Sequence, residues 1–221
     1  MSSTPNPSTP NPSPKSPSAK GPSTPPRPVS TRVSSDLPRT LTNRAMAAFS
    51  RRRYGAVLDP LVAVGHHGKV TRTYALTELG VGGWKALDPG LKSLAVMAVS
   101  VQIGCSWCVD FGYFEAQHDH VDPAKLHDVP AWRSSERFTG LERDVLALAQ
   151  AATATPPTVD DALAARLTEA LGTEAFTELV AIVAVENLRS RINAAMGLTA
   201  QGFSDRCEVP MSGPLAQVGE A

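Results

Sequence analysis

The chain has 221 residues, 42% of them hydrophobic, and its 21 Lys and Arg balance 21 Asp and Glu. That is enough apolar material for one domain with a true core, and the absent net charge offers nothing to draw nucleic acid or an anionic membrane surface. No run approaches the roughly 18 consecutive apolar residues that span a bilayer, and the three cysteines follow no apolar leader. A cytoplasmic protein with a thiol pair is therefore expected, rather than a secreted disulfide framework.

Residues 1–40 are dominated by Pro, Ser, Thr and Asn, with Lys15, Lys20, Arg27 and Arg32 and no acidic residue before Asp36. Such a stretch buries too little to offset the entropy of ordering, so it reads as a disordered, partly polyproline-like tail. A solubilising or linker role is the plain reading, and composition does not select a proline-recognising partner over it.

The pattern changes at Leu41. Thr42 is a candidate cap for a helix bearing Ala45, Met46 and Phe49 and running into Arg51, Arg52 and Arg53, whose charges suit a helix C-terminus. From Tyr54 to Gly83 the sequence is mixed, with an apolar stretch at Val57 to Val64 and loop signals at Gly65, Gly68, Gly80, Gly82 and Gly83. His66 and His67 fall here and, lacking a second ligand cluster at metal spacing, read as surface or packing residues.

Asp88-Pro89 is a helix start, the aspartate capping and the proline in the first turn. The helix that follows, from Leu91 to Ile103, is apolar nearly all round, which predicts burial in the domain or at a subunit interface, and Gly104 stops it. A second helix is predicted from about Cys105 to Glu115 or His118. Asp122-Pro123 opens a short helical turn that Pro130 closes. Thr139 and Glu142 form a capping box before the stripe Leu141, Val145, Leu148, Ala149, Ala152. After Pro156-Pro157, Thr158 is expected to cap a helix whose buried face is Val159, Leu163, Leu167 and Leu171 and whose stop is Gly172. Thr173 then begins a long helix to Gly197. No segment alternates with period two, so the fold class is all-α, an antiparallel helix bundle over residues 41–200, followed by a loosely held tail at 201–221 that contains Cys207.

The chemistry of the chain concentrates at Cys105-Ser106-Trp107-Cys108. Two thiols at i, i+3 on a helix start lie about 5–6 Å apart on one face, within reach of a disulfide and within the field of the exposed helix N–H groups. Inert core thiols are the bland reading, since free cysteine is among the most buried residue types. No second Cys/His pair stands at zinc spacing, so neither a metal nor a cofactor is expected. Trp107 reads as a packing or rim residue. Glu186, Asn187, Arg189, Arg191 and Asn193 crowd one end of a buried helix, and an ion-pair and hydrogen-bond network at a subunit contact accounts for them more simply than substrate binding does.

Val101-Gln-Ile-Gly-Cys105-Ser-Trp-Cys108, together with Leu141-Glu142-Arg143, Glu178-Leu179-Val180 and the stretch Asn187 to Gly197 with Arg191 and Asn193, resembles the alkylhydroperoxidase D-like, or carboxymuconolactone decarboxylase, superfamily over roughly residues 45–200. The resemblance implies an all-α homo-oligomer in which the cysteines reduce a hydroperoxide. Cys108 would attack the peroxide oxygen and become a sulfenic acid, Cys105 would be the exposed thiol that condenses with it, and an external dithiol, lipoyl-type or thioredoxin-like, would restore the pair. The best-known branch helps the thiol with a glutamate and a histidine that fall here on Ser93 and Gly112. Both proton-handling groups are absent.

Helix geometry leaves no substitute within the cysteine helix. Glu115 is two turns from Cys108, roughly 10 Å along the axis, His118 is farther and on another face, and Asp110 lies about 140° round from Cys105. A base would come from another element, and His66, His67, His118, His120 and Glu186 are the candidates by chemistry. Two functions are open to such a chain: a thiol-dependent peroxidase, or a non-redox carboxymuconolactone decarboxylase-like enzyme or small-molecule binding protein that kept the fold and lost the relay.

Overall fold

The structure, a computed structural model, describes residues 31–204. The expectations for residues 1–30 and 205–221, Cys207 among them, lie outside the described residues.

Nine helical elements fill the described chain, and no strand occurs among the described residues. The bundle is built around α4 (Pro89–Ile103). Asp88 caps it by accepting the Leu91 N–H at 3.0 Å, Pro89 starts it, and Gly104 ends it in the left-handed region at φ 81°, where a side chain would be strained. The sequence of α4 leaves no polar face, and Leu94 to Val101, apart from the half-buried Val96, are all 3% exposed or less. Three helices surround it: α5 (Ser106–His118), α7 (Gly140–Thr153) and α8 (Asp161–Met196). Each contributes its apolar stripe, Val109 and Tyr113 from α5, Val145, Leu148 and Ala149 from α7, Leu179, Ile182 and Val183 from α8. Helix α6 (Pro123–Asp128) and a 3₁₀ turn (Val129–Ala131) close one end with Leu126, Val129 and Trp132. The capping box of α7 is complete, with Glu142 N–H on Thr139 Oγ1 and Thr139 N–H on Glu142 Oε2.

Several boundaries differ from the sequence reading, each for a local reason. Helix α1 (Leu41–Tyr54) begins a residue before Thr42 because Thr40 Oγ1 accepts the Asn43 N–H. The stretch read as mixed contains α2 (Asp59–Val64) and α3 (Gly68–Val81). The second of these was hidden by flanking glycines and by having only Thr71 fully buried, so no apolar stripe marks it. Asp160, not Thr158, caps α8, since its Oδ1 accepts the Ala162 N–H while the Thr158 N–H is spent on Ala151 O at the end of α7. Val159 is consequently outside the helix and 41% exposed. Gly172, expected as a stop, is a break at φ 78°, ψ 160° inside α8, and the chain turns helical again at once.

Both ends of the described chain fold back onto the domain. The Arg32 N–H donates to Met196 O at 2.7 Å and its guanidinium to Ala195 O at 2.9 Å, while Asn43 Nδ2 holds Pro38 O and Gly65 O. Residues 31–40 therefore lie against the bundle, although composition places them in a tail. Gln201 to Ser204, likewise expected in a tail, form a strap across the N-terminal half of α5. No helix among the described residues is long and apolar enough to cross a membrane.

Candidate active site

Gly104 turns the chain from α4 directly into α5, and this turn places the two cysteines. Cys105 is the N-cap of α5, its Sγ accepting the Cys108 N–H at 3.2 Å, and its own N–H returns to Ser100 O at 3.0 Å. The two sulfurs are joined in a disulfide with Cα atoms 5.2 Å apart. Both sit inside the protein: Cys105 is 0% and Cys108 5% exposed, so the exposed thiol that the resemblance implies at Cys105 is not what the chain presents. Ala63, Trp107 and Leu198 surround them, with Val33, Leu58, Phe111, Met196 and Phe203 packed alongside. Trp107 is a packing residue, stacked on Phe111 at 4.9 Å, and Tyr54 and Phe203 meet the same ring edge-on at 5.3 Å.

The cover over the pair is held by Asp110, which is 1% exposed. Its Oδ2 accepts the N–H groups of Gln201, Gly202 and Phe203 at 2.7, 2.8 and 3.1 Å, and its Oδ1 that of Ser204 at 2.9 Å. The Gln201 side chain adds three bonds, accepting Trp107 Nε1–H and the Asp59 N–H at 3.0 Å and donating to Val57 O at 2.7 Å. A buried carboxylate needs such partners to offset its desolvation, and here one strap supplies all four. Sequence reasoning excluded Asp110 as a partner of Cys105 and missed this role. The available signal was an aspartate one turn into an otherwise buried helix.

A second polar feature approaches from α8. Asn193, 1% exposed, donates from Nδ2 to Cys108 Sγ at 3.3 Å, and its Oδ1 is buried with no hydrogen-bond partner. Ser190 and Glu186 lie one and two turns earlier on the same face of the helix. Glu186 Oε1 accepts the hydroxyls of Ser190 at 2.7 Å and Ser100 at 3.0 Å. Ser100 thus joins the two halves of the site, its carbonyl holding Cys105 and its hydroxyl holding Glu186. Burial pushes the Glu186 carboxyl above the usual range, and the nearby Arg189 offsets this only in part. Arg189 is committed elsewhere: it binds Glu78 through two bonds, 2.8 and 2.5 Å, and reaches Glu186 at 3.4 Å. The network expected at a subunit contact is therefore satisfied within the chain, with Asn187 Nδ2 on Thr153 Oγ1 and Arg191 on Thr153 O.

This arrangement fixes a sign for the pH dependence of stability. The folded state holds the Glu186 proton more tightly than the unfolded chain, so the stability this group contributes is complete below the ordinary glutamate value of about 4.3 and is lost as pH rises through the folded value. Glu186→Gln is expected to melt at a temperature that rises relative to the wild type between pH 4.5 and 8. A difference that stays flat across that range in paired thermal melts would show that the carboxyl is not held neutral by burial.

The other candidate bases lie elsewhere. His66 Nε2 sits on Ser34 O, His67 Nδ1 caps α3 by accepting the Val70 N–H, and His118 Nδ1 contacts Phe114 O, all at exposed positions. His120, in the left-handed region at φ 58°, lines with His118 an open cleft of about 450 Å³ beside Asp88 and Gly90. That cleft is at the far end of α4 from Cys105, roughly 20 Å away at 1.5 Å per residue. Ser93 donates to Asp119 Oδ2 at 2.6 Å near the same end. At Gly112 a Cβ would make an ordinary contact with Met97 Cε at 3.6 Å. Glu115 is half-buried between α5 and α1, where burial raises its carboxyl. Of the five proposed bases, the fold buries only Glu186. Among the described residues no group of three or more His, Cys, Asp and Glu is arranged to hold a metal ion.

A helical bundle that closes a C-x-x-C disulfide at the junction of its central helix and the next defines an all-α dithiol protein. The chain belongs to the carboxymuconolactone decarboxylase family, whose profile matches residues 69–151. The uncharacterised protein YnjA of Escherichia coli K12 is 37% identical over 172 residues, covering 76% of this chain and 91% of YnjA. Among solved structures, the alkylhydroperoxidase core of a peroxidase-related protein from Ralstonia eutropha JMP134 superposes with TM-score 0.68 at 19% identity, covering 79% of this chain and 93% of that one. The debrominase Bmp8 in complex with 2,3,4-tribromopyrrole superposes with TM-score 0.66 at 20% identity, covering 78% and 95%. Both likenesses are of fold.

Proposed function

We propose that this protein is a thiol-dependent peroxidase that reduces organic hydroperoxides through Cys108 and Cys105. The observation that carries the reading is the cysteine pair itself, closed as a disulfide at the start of α5 with an amide donor on Cys108 Sγ. The reduced Cys108 thiolate attacks the hydroperoxide, an S–O bond forms as the O–O bond breaks, and the alcohol leaves with the thiol proton. Cys105 then displaces water from the sulfenic acid, giving the disulfide. An external dithiol, lipoyl-type or thioredoxin-like, returns two electrons by exchange through a mixed disulfide. Such a cycle suits the reducing cytoplasm. Cys108 is the attacking sulfur in this reading because it is the one of the two with solvent exposure and a side-chain donor. Glu186 is the buried candidate for the proton-handling role absent at Ser93 and Gly112, and it is linked to the pair through Ser100, whose hydroxyl it accepts and whose carbonyl holds the Cys105 N–H. Copies of the chain associate through α1 and α3, where Leu41, Phe49, Leu76 and Leu79 are 83, 63, 68 and 73% exposed.

Purified protein supplied with dihydrolipoamide is expected to consume tert-butyl hydroperoxide at a rate proportional to enzyme concentration. The likeness to a debrominase makes 2,3,4-tribromopyrrole the second acceptor to offer in the same assay. Turnover of the pyrrole without the peroxide would move the substrate class and keep the dithiol chemistry. Cysteines that stay reduced and unreactive with both would sink the redox reading in favour of the non-redox family member.

A further inference from the structure

The Asn193 carboxamide lies against Cys108 with only one of its two ends paired. It is 1% exposed, its nitrogen is spent on Cys108 Sγ at 3.3 Å, and its oxygen has no partner. A buried amide oxygen left unpaired forfeits its hydration without a replacement, so its retention beside a redox sulfur calls for an occupant. A sulfur in a disulfide can only accept, which fixes the amide with its nitrogen rather than its oxygen on Cys108 Sγ. The side chain is therefore a two-ended fixture at the sulfur, one end donating and one end empty.

The site lies in apolar surroundings: Ala63, Trp107 and Leu198 complete the shell around the two sulfurs. Four ionisable groups on the surrounding elements already have partners, and Glu115, two turns along α5 from Cys108, keeps a buried Oε1 with none. Asp110 on α5 holds the strap, Arg32 in the N-terminal segment holds carbonyls of α8, Glu186 on α8 is held by two serines, and Asp59 on α2 is bonded as well. None of them is bonded to Cys108 Sγ, and the side-chain donor found on that atom is Asn193 Nδ2.

We infer that Asn193 receives the reacting oxygen at Cys108: Nδ2 stabilises the thiolate, and Oδ1 accepts the O–H of an organic hydroperoxide and then the O–H of the Cys108 sulfenic acid. The inference rests on the peroxidase reading for its second half and on geometry alone for its first. In the step it serves, the thiolate forms a bond to the OH-bearing oxygen and the O–O bond breaks. The sulfur loses two electrons to the peroxide, and the alkoxide leaves as the alcohol with the proton that the thiol released. Oδ1 orients the terminal oxygen in line with the sulfur, and it keeps the product O–H from pointing into an apolar shell. Asn193 thus selects hydroperoxides bearing a free O–H over dialkyl peroxides.

The test uses the Cys105→Ser protein, in which Cys108 is a free thiol and its sulfenic acid cannot be resolved. Two further substitutions are introduced into it: Asn193→Leu, which removes both ends, and Asn193→Asp, which keeps an acceptor and replaces the donor by a negative charge. The first readout is the pH midpoint of Cys108 alkylation by iodoacetamide, which needs no peroxidase activity. It is expected to rise by about one pH unit with Asp and by about half a unit with Leu, because an anion opposes thiolate formation and a lost donor weakens it. The second readout is dimedone-trapped Cys108 sulfenic acid after tert-butyl hydroperoxide at pH 7, expected to form roughly tenfold more slowly in both variants.

Folded variants that share the parent's alkylation midpoint overturn the proposal. If neither substitution folds, the side-chain amide resonances of Asn193 are followed by NMR through the Cys108 titration in the parent. Resonances that move with the thiol midpoint support the contact, and resonances indifferent to it overturn the proposal. A shifted midpoint in a parent that forms no sulfenic acid with any hydroperoxide upholds the donor end and removes both the peroxidase reading and the acceptor role built on it.

Discussion

Cys108→Ser is expected to lower hydroperoxide consumption by at least about 10³-fold, because a serine hydroxyl in the same place has no anionic form near neutral pH and no route to a sulfenic acid. Cys105→Ser should behave differently: one equivalent of peroxide is consumed, Cys108 sulfenic acid accumulates, and turnover stops there. The two variants separate attack from resolution. Loss of the disulfide itself should cost the fold little. The closed loop holds four residues, for which chain entropy accounts for about 2 kcal/mol, and α4 and α5 remain packed through Val99, Val101, Val109 and Tyr113. Thermal melts of both variants within a few degrees of the reduced wild type would establish that lost turnover is chemical. Full activity in Cys108→Ser would assign the attack to Cys105 and remove the argument from Asn193.

Asp110→Ala is expected to have the second largest effect, on access to the sulfurs. Four backbone N–H groups lose a charged acceptor. Each would cost about 1–3 kcal/mol if left buried, but a released strap regains water, so the net loss should be about 3 kcal/mol and confined to opening of residues 198–204. Because Cys105 is 0% and Cys108 5% exposed, reduction of the disulfide by a water-soluble phosphine depends on that opening. A loss of this size raises the open population, and so the reduction rate, roughly 100-fold at 1.4 kcal/mol per decade. Asp110→Asn, which keeps one acceptor oxygen, should fall between. Trp107, bonded to Gln201 in the closed strap, gives a fluorescence readout of the same event. Equal reduction rates in wild type and a folded Asp110→Ala protein would mean that the sulfurs are reached by another path.

Much of the scaffold is legible in local sequence because local physics specifies it. Asp88-Pro89 and Gly104 mark the ends of α4, Thr139 and Glu142 mark the start of α7, and an apolar run without a polar face announces the central helix before any neighbour is known. The same locality explains the misreadings. Thr42 and Thr158 are plausible caps by residue type, and the choice of Thr40 and Asp160 depends on where neighbouring N–H groups are already spent. Helix α3 is invisible to periodicity because Leu76 and Leu79 stay exposed.

The cysteine pair and its helix-start position were determined by the sequence alone, since spacing of i, i+3 after a glycine stop is a property of one short stretch. The sequence also established that Gly112, Glu115 and Asp110 offer the sulfurs no base, because helix geometry places them relative to the sulfurs without reference to the rest of the fold. What surrounds the sulfurs was decided only in three dimensions. Asn193 is 85 residues from Cys108 and Glu186 is 86 from Ser100, and the strap comes to Asp110 from 91 to 94 residues away. Contacts of that range depend on which face α8 turns toward α4 and α5, and this is set by the packing of the whole apolar core rather than by any residue that makes the contact.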